Sequence, residues 1–263
     1  MSISIIGLHE WFQTPAGAYL LDWERRQINA AVADIFGYHA LQLGVPSLDA
    51  FEANRIPHQW LATQCFDPPL AHGPRSVSLV CEFGALPFAS SSLDLVVLPH
   101  SLELSADPHA ALREVERVLV PEGRVVICGF NPTSLWGLQQ SRARLYQRFG
   151  LGQLLLPQSG DFIGYWRLRD WLRLLSFEVE CGTFGCYRPG VRSEKWLQRF
   201  QWMDTVGSKW WPIFGAAYFL VAVKRVRGMR LLGPAWKGRP ARVGSPVSLA
   251  RRGQDSRILE KND

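Results

Sequence analysis

Cys81 to Ile127 reads CEFGALPFASSSLDLVVLPHSLELSADPHAALREVERVLVPEGRVVI, and this stretch decides the fold. Leu93, Leu95, Val96, Val97 and Leu98 form a short apolar run rich in β-branched residues, the pattern of a parallel strand covered on both faces. Asp107 and Pro108 supply a helix start, with Asp107 as N-cap and Pro108 in the first position, where its missing N–H costs nothing. Ala111, Leu112, Val115, Val118 and Leu119 recur at helical spacing, and Pro121 with Gly123 is expected to end that helix. Val125, Val126 and Ile127 open the next strand. Strand, crossover helix and strand make a right-handed βαβ unit, one half of a doubly wound sheet whose ligands sit at the carboxyl ends of the strands.

Outward from this unit, further strands are expected at His39–Gly44, Trp60–Ala62, Val77–Val80, Phe177–Glu180 and Tyr218–Val223, giving seven in all. Tyr19, Leu20, Trp23, Ile28, Val32 and Ile35 draw the apolar face of a helix ahead of the first strand, with Asp22, Glu24, Arg25 and Arg26 on its polar side. Trp11 to Gly17 would form its leading turn. Arg167 to Leu175 is a second amphipathic helix. A chain of 263 residues, 47% hydrophobic, buries a full three-layer core.

The net charge of +6 belongs to the end of the chain, because Lys224 to Asp263 holds eleven Lys and Arg against three acids. From about Gly228 this tail is rich in Gly, Pro and Ser and lacks apolar periodicity, so it is expected to be disordered. It is either a solvated end or a weak attachment to nucleic acid or an anionic surface. Five cysteines without a C-x-x-C pair argue for a reducing compartment and against both a disulfide framework and a metal site. No basic residue precedes an early hydrophobic stretch, and the longest apolar run, Trp210–Val223, is interrupted by Pro212 and Gly215. The expectation is a cytoplasmic protein with no transmembrane segment.

L-P-F at Leu86–Phe88, L-D-L-V-V at Leu93–Val97 and R-V-L-x-P-x-G at Arg117–Gly123 resemble, in this order and spacing, the second half of the class I S-adenosylmethionine-dependent methyltransferases, specifically those with a methyltransferase type 11 domain. The resemblance is close over this stretch and looser from His39 to Val223. It implies an α/β, Rossmann-like, doubly wound and mostly parallel seven-stranded sheet. The chain then divides into an N-terminal helical segment over residues 1–36, the Rossmann-like domain over 37–227 and the basic tail over 228–263. It also implies S-adenosyl-L-methionine as cofactor and a methyl acceptor, small or macromolecular, that the sequence does not name.

The resemblance carries over to particular positions. Leu43 and Gly44 end the first strand, where the family binds cofactor through an acid and a run of glycines. Here Gln42 stands at the acidic position, and Pro46 and Ser47 stand where further glycines are expected, so the loop cannot cradle a ligand in the usual way. The family's carboxylate at the end of the second strand has no counterpart nearer than Asp67, and the crossover between Trp60 and Val77 is too short and proline-rich for a good helix. Glu82, followed by Phe83, falls where the family contacts the adenine amino group. By the same resemblance Leu98, Pro99 and His100 would face the methyl donor and the acceptor, and His100 is the general-base candidate because its ordinary pKa lies near neutrality.

Asn131-Pro132 reads as a turn. The aromatic residues of the second half, Trp136, Trp166, Trp171, Trp196, Trp202, Trp210 and Trp211 with Tyr165 and Tyr187, are expected mostly in the core. The arginines from Arg142 to Arg173 suit an anionic substrate or solvated helix faces equally. The leading reading is a methyltransferase. The alternative is a methyltransferase-fold binding or scaffold module that has lost catalysis. A nicotinamide-dependent oxidoreductase is disfavoured because G-x-G-x-x-G and Tyr-x-x-x-Lys are both absent.

Overall fold

A computed structural model of the chain describes residues 8–65, 74–147, 162–191 and 193–225. The tail from Gly228, Asp67 and Arg148 lie outside them. In chain order the elements are helices α1 (Leu8–Phe12) and α2 (Pro15–Val32), strands β1 (His39–Leu43), β2 (His58–Thr63), β3 (Leu79–Val80) and β4 (Leu93–Pro99), and helices α3 (Ser101–Leu104) and α4 (Pro108–Val118). There follow β5 (Leu119–Phe130), α5 (Leu135–Gln147), α6 (Tyr165–Leu174), β6 (Phe177–Gly185), α7 (Glu194–Arg199), α8 (Trp202–Trp210), a 3₁₀ turn (Pro212–Phe214) and β7 (Ala217–Lys224).

The seven strands form one sheet in the order β3-β2-β1-β4-β5-β7-β6, parallel except that β7 runs antiparallel to both neighbours. All seven expected strands are present, and the α/β, doubly wound expectation holds. The chain leaves β1 toward one edge and β4 toward the other, so the order reverses between β1 and β4. A ligand crevice belongs at such a switch point.

Alternation along the strands divides the core into two layers. Ala40, Leu95, Val97, Val126, Cys128, Phe219 and Val221 face α1 and α2 through Trp11, Leu20, Ile28 and Val32. Leu41, Leu43, Val96, Leu98, Val125, Ile127 and Leu220 face α4 and α6 through Ala111, Leu112, Val115, Leu168 and Leu172. Thr14 starts α2: its hydroxyl accepts from Gly17 N at 3.2 Å and donates to Trp11 O at 2.7 Å, with Pro15 in the first position. Asp107 caps α4 as expected, accepting from His109 N and Ala110 N at 2.9 and 3.0 Å.

Helix α4 stops earlier than its periodicity suggested, at Val118, and Leu119 already pairs with Leu93. Pro121 and Gly123 lie in a bulge of β5, since Leu93 pairs with Leu119 but Leu95 pairs with Arg124. Extra residues crowded into one strand of a ladder leave it locally unpaired, and Glu122 takes a left-handed φ of 64° there.

Of the three motifs that carried the family resemblance, the third meets both others, pairing with the second through Leu119 and Leu93 and with the first through Arg117. Arg117 donates to Leu86 O at 3.0 Å and to Phe88 O at 2.9 Å, while Glu114 pairs with Arg117 at 2.8 Å and accepts from Leu86 N at 3.0 Å. Helix α4 thereby holds the L-P-F segment that leads from β3 to β4. Replacing Arg117 by Ala is expected to lower stability by about 1–2 kcal/mol, because two charge-assisted bonds to backbone are lost from a partly solvated site. Urea unfolding checks it, and an unchanged midpoint would remove that role.

The aromatic expectation needs correction. Trp136 is buried, but Trp166, Trp196, Trp202, Trp210 and Trp211 are more than half exposed. Helices α6 to α8 are short, and they spend their inward faces on Leu168, Leu172, Leu197 and Gly207, which leaves these indoles on the outward side.

Candidate cofactor and active site

At the switch point, Gly44 follows β1 with φ +75° and Val45 with φ 44°. A β-carbon at Gly44 would lie 3.3 Å from Ser101 Oγ, 3.8 Å from Phe83 Cζ and 3.9 Å from Pro99 O. The structure therefore brings Gly44, Phe83 and Pro99 together, from β1, the turn after β3 and the end of β4. Leu43 and Leu98 are adjacent to them in chain, but their side chains are fully buried in the core on the α4 side, leaving only their backbone toward the crevice. Leu43 O accepts from the Ser101 hydroxyl. Glu82 is exposed at the end of β3, beside this group.

Gln42 organises the loop after β1. Its side-chain amide donates to Gly44 O, Val45 O and Leu48 O at 3.1, 2.9 and 2.8 Å, and its oxygen accepts from Ala50 N at 3.0 Å. An acid in its place has no hydrogen to give to those carbonyls. A glutamine at the acidic position and a helix-free, proline-containing loop are thus two parts of one local structure. The chain passes from Gly44 to β2 through turns, without the helix whose N-terminus usually faces an anionic ligand. At the end of β2, Thr63 donates its hydroxyl to Cys65 O at 3.0 Å.

His100 does not stand in an open loop. It is 1% exposed, takes φ 53° and precedes α3. Its Nε2 lies 2.7 Å from Glu24 Oε1 of α2, and its Nδ1 lies 2.9 Å from Glu103 Oε2. Glu103 Oε1 also accepts from Phe130 N at 2.6 Å. Burial alone would push the imidazole pKa down. The Glu24 charge and the hydrogen bonds that Glu103 and Glu24 accept from the ring override it and raise it to about 10. At neutral pH His100 is therefore an imidazolium donating through both nitrogens, and as a base it would first have to lose that proton and one carboxylate. Phe12 and Phe130 pack their rings at 6.0 and 4.2 Å from it. Glu24 and Glu103 gave no signal in the sequence as a pair, because they lie on elements far apart in chain. Glu24 Oε2 is buried without a hydrogen-bond partner.

Beyond β5, Asn131 turns the chain as expected, donating to Ile213 O and Gly215 O at 2.7 and 2.9 Å. Leu135, Tyr187, Trp202, Met203, Val206, Gly207, Trp211 and Phe214 line an apolar groove of about 300 Å³ on this side. Among the described residues no group of three or more His, Cys, Asp or Glu is arranged to hold a metal, and no helix is long and apolar enough to cross a membrane.

Comparison with known proteins agrees with this architecture. The model of the methyltransferase domain family (type 11) matches residues 60–127. The uncharacterized protein YafS of Escherichia coli is 33% identical over 170 residues, 64% of this chain and 65% of its own length. A malonyl-[acyl-carrier protein] O-methyltransferase of Halorhodospira halophila is 35% identical over 77 residues, 29% of this chain and 25% of that protein. The chain thus spans less than two thirds of either relative. A solved S-adenosylmethionine-dependent methyltransferase of Thermotoga maritima superposes with a TM-score of 0.54 at 16% identity, covering 82% of this chain and 94% of that one. Residues 60–127 thus match the methyltransferase domain family, and the seven-stranded sheet has the α/β, Rossmann-like fold of solved S-adenosylmethionine-dependent methyltransferases.

Proposed function

We propose that the chain is an S-adenosylmethionine-dependent methyltransferase whose cofactor lies across the carboxyl ends of β1, β3 and β4. The observation that carries this reading is the convergence of Gly44, Phe83 and Pro99 beside exposed Glu82 at the point where the strand order reverses. The residues suit the cofactor at two points. Glu82 offers a carboxylate to a purine amino group, and the unpartnered Oε2 of Glu24 is a buried acceptor that an ammonium group would satisfy. The loop after β1 suits it less, since Gly44 alone offers free backbone approach. When bound, the cofactor supplies a methyl group on a cationic sulfur, already activated for transfer. What the chain contributes is position: Gly44 and Glu82 hold one end, and His100 fixes Glu24 and Glu103 rather than taking a proton.

One observation favours the second reading, a binding module without catalysis. Phe83 is 2% exposed and packed toward Gly44, and Phe12 covers His100, so aromatic side chains occupy much of the crevice. Calorimetric titration of the nucleotide-free protein with S-adenosylmethionine and S-adenosylhomocysteine, with NADH as control, separates the two. Micromolar binding of both sulfur compounds and none of NADH supports the methyltransferase. No binding up to millimolar by folded protein supports the binding module. Where binding occurs, Glu82→Ala is expected to weaken it about tenfold, or about 1.4 kcal/mol; equal affinity would remove the adenine role of Glu82.

A further inference from the structure

Helix α8 and the turn after it carry a cluster of exposed apolar side chains. Trp202, Trp210 and Trp211 are 58, 72 and 56% exposed, and Ile213 and Phe214 are 47 and 53% exposed. Across from them, Leu135 and Leu138 of α5 are 45 and 55% exposed. Leu135, Trp202, Trp211 and Phe214 form one surface, because they line the same groove, and Trp210, Ile213 and Leu138 are their near neighbours in chain. A β-carbon at Gly207 would run into the Tyr187 ring, so glycine is what seats α8 at this height above the sheet.

Among the described residues of α5 and α8, the exposed unpaired charges have one sign. Asp204, the single acid of α8, is turned inward, where Arg188 Nε meets it at 2.8 Å and the Tyr19 hydroxyl donates to it. Helix α5 contains no acid. Lys209, next to Trp210, and Arg142, one turn beyond Leu138, are exposed and make no ion pair among the described residues. Indoles that combine an apolar ring with one N–H, flanked by long cationic side chains, suit a boundary between hydrocarbon and charged headgroups. A two-fold contact with a second copy would instead set Lys209 and Arg142 against the partner's same charges.

We propose that this face docks on a phospholipid bilayer bearing anionic headgroups. Trp210, Trp211 and Phe214 enter the boundary between headgroup and acyl chain, and Lys209 and Arg142 meet the headgroups. The helices lie on the surface and do not cross it. This goes beyond methyl transfer and does not rest on it.

The test is co-sedimentation of the full chain with phosphatidylcholine vesicles, with and without phosphatidylglycerol, and quenching of tryptophan fluorescence by lipid brominated on its acyl chains. The comparison protein carries Trp210→Ser and Trp211→Ser, both at exposed positions, and its fold is checked by circular dichroism. The expected result is binding that requires phosphatidylglycerol, quenching by acyl bromine, and at least a tenfold loss of both in the variant. Binding that the variant retains, without quenching, would assign adsorption to the basic tail and overturn the proposal. So would a concentration-dependent dimer that the two substitutions dissociate.

Discussion

Replacing His100 by Ala is expected to lower the free energy of unfolding by about 3–5 kcal/mol, among the largest effects available in this chain. The substitution leaves the carboxylates of Glu24 and Glu103 buried, at 0 and 3% exposure, with no cation between them. An uncompensated buried charge is costly in a way that a lost surface pair is not. Because α2 and α3 meet through this imidazolium, the loss should appear as cooperative destabilisation and a lower urea midpoint. Alkaline pH should act on the same contact. The folded pKa of His100, raised to about 10, exceeds the unfolded value near 6.5, so its contribution is fully present below about 6.5 and is lost as pH rises through 10. The wild-type melting temperature should therefore fall between pH 7 and 10 with a slope that the variant lacks. A loss of under about 1 kcal/mol, or identical slopes, would mean that His100 does not carry the clamp.

Gln42→Glu, which installs the acid usual at this position in the methyltransferases that the chain resembles, is expected to destabilise the chain by at least about 3 kcal/mol. The carboxylate can still accept from Ala50 N, but it cannot donate to Gly44 O, Val45 O and Leu48 O, and it adds a buried negative charge facing three carbonyl oxygens. Each buried acceptor left without a donor costs about 1–3 kcal/mol, and the charge adds to that. Urea unfolding of the variant measures this, with cofactor titration as a second reading. If the Gln42→Glu substitution were tolerated and cofactor affinity rose, the loop would be a plastic remnant of a glycine-rich turn rather than a structure built around glutamine.

The sheet was legible because its signals are local. A buried parallel strand needs an apolar run, and a crossover helix needs its cap and its spacing, so Leu93–Leu98 and Asp107–Val118 were readable from composition and order. The helix end at Val118 was misread, since a bulge depends on what the neighbouring strand offers and not on Pro121 and Gly123 alone. The site was legible only in part. Gly44, Phe83 and Pro99 were expected near one another and are so, but the imidazolium clamp requires Glu24, 76 residues before His100, and no spacing rule connects them.

By itself, then, the sequence determined the strand pattern, the N-caps, the family model that residues 60–127 match and the concentration of positive charge in the tail, because each follows from residues adjacent in chain. Only the tertiary structure decided the charge state of His100, the partners of Gln42 and the exposure of the indoles on α8. Those depend on burial, and burial is a property of which distant surfaces meet.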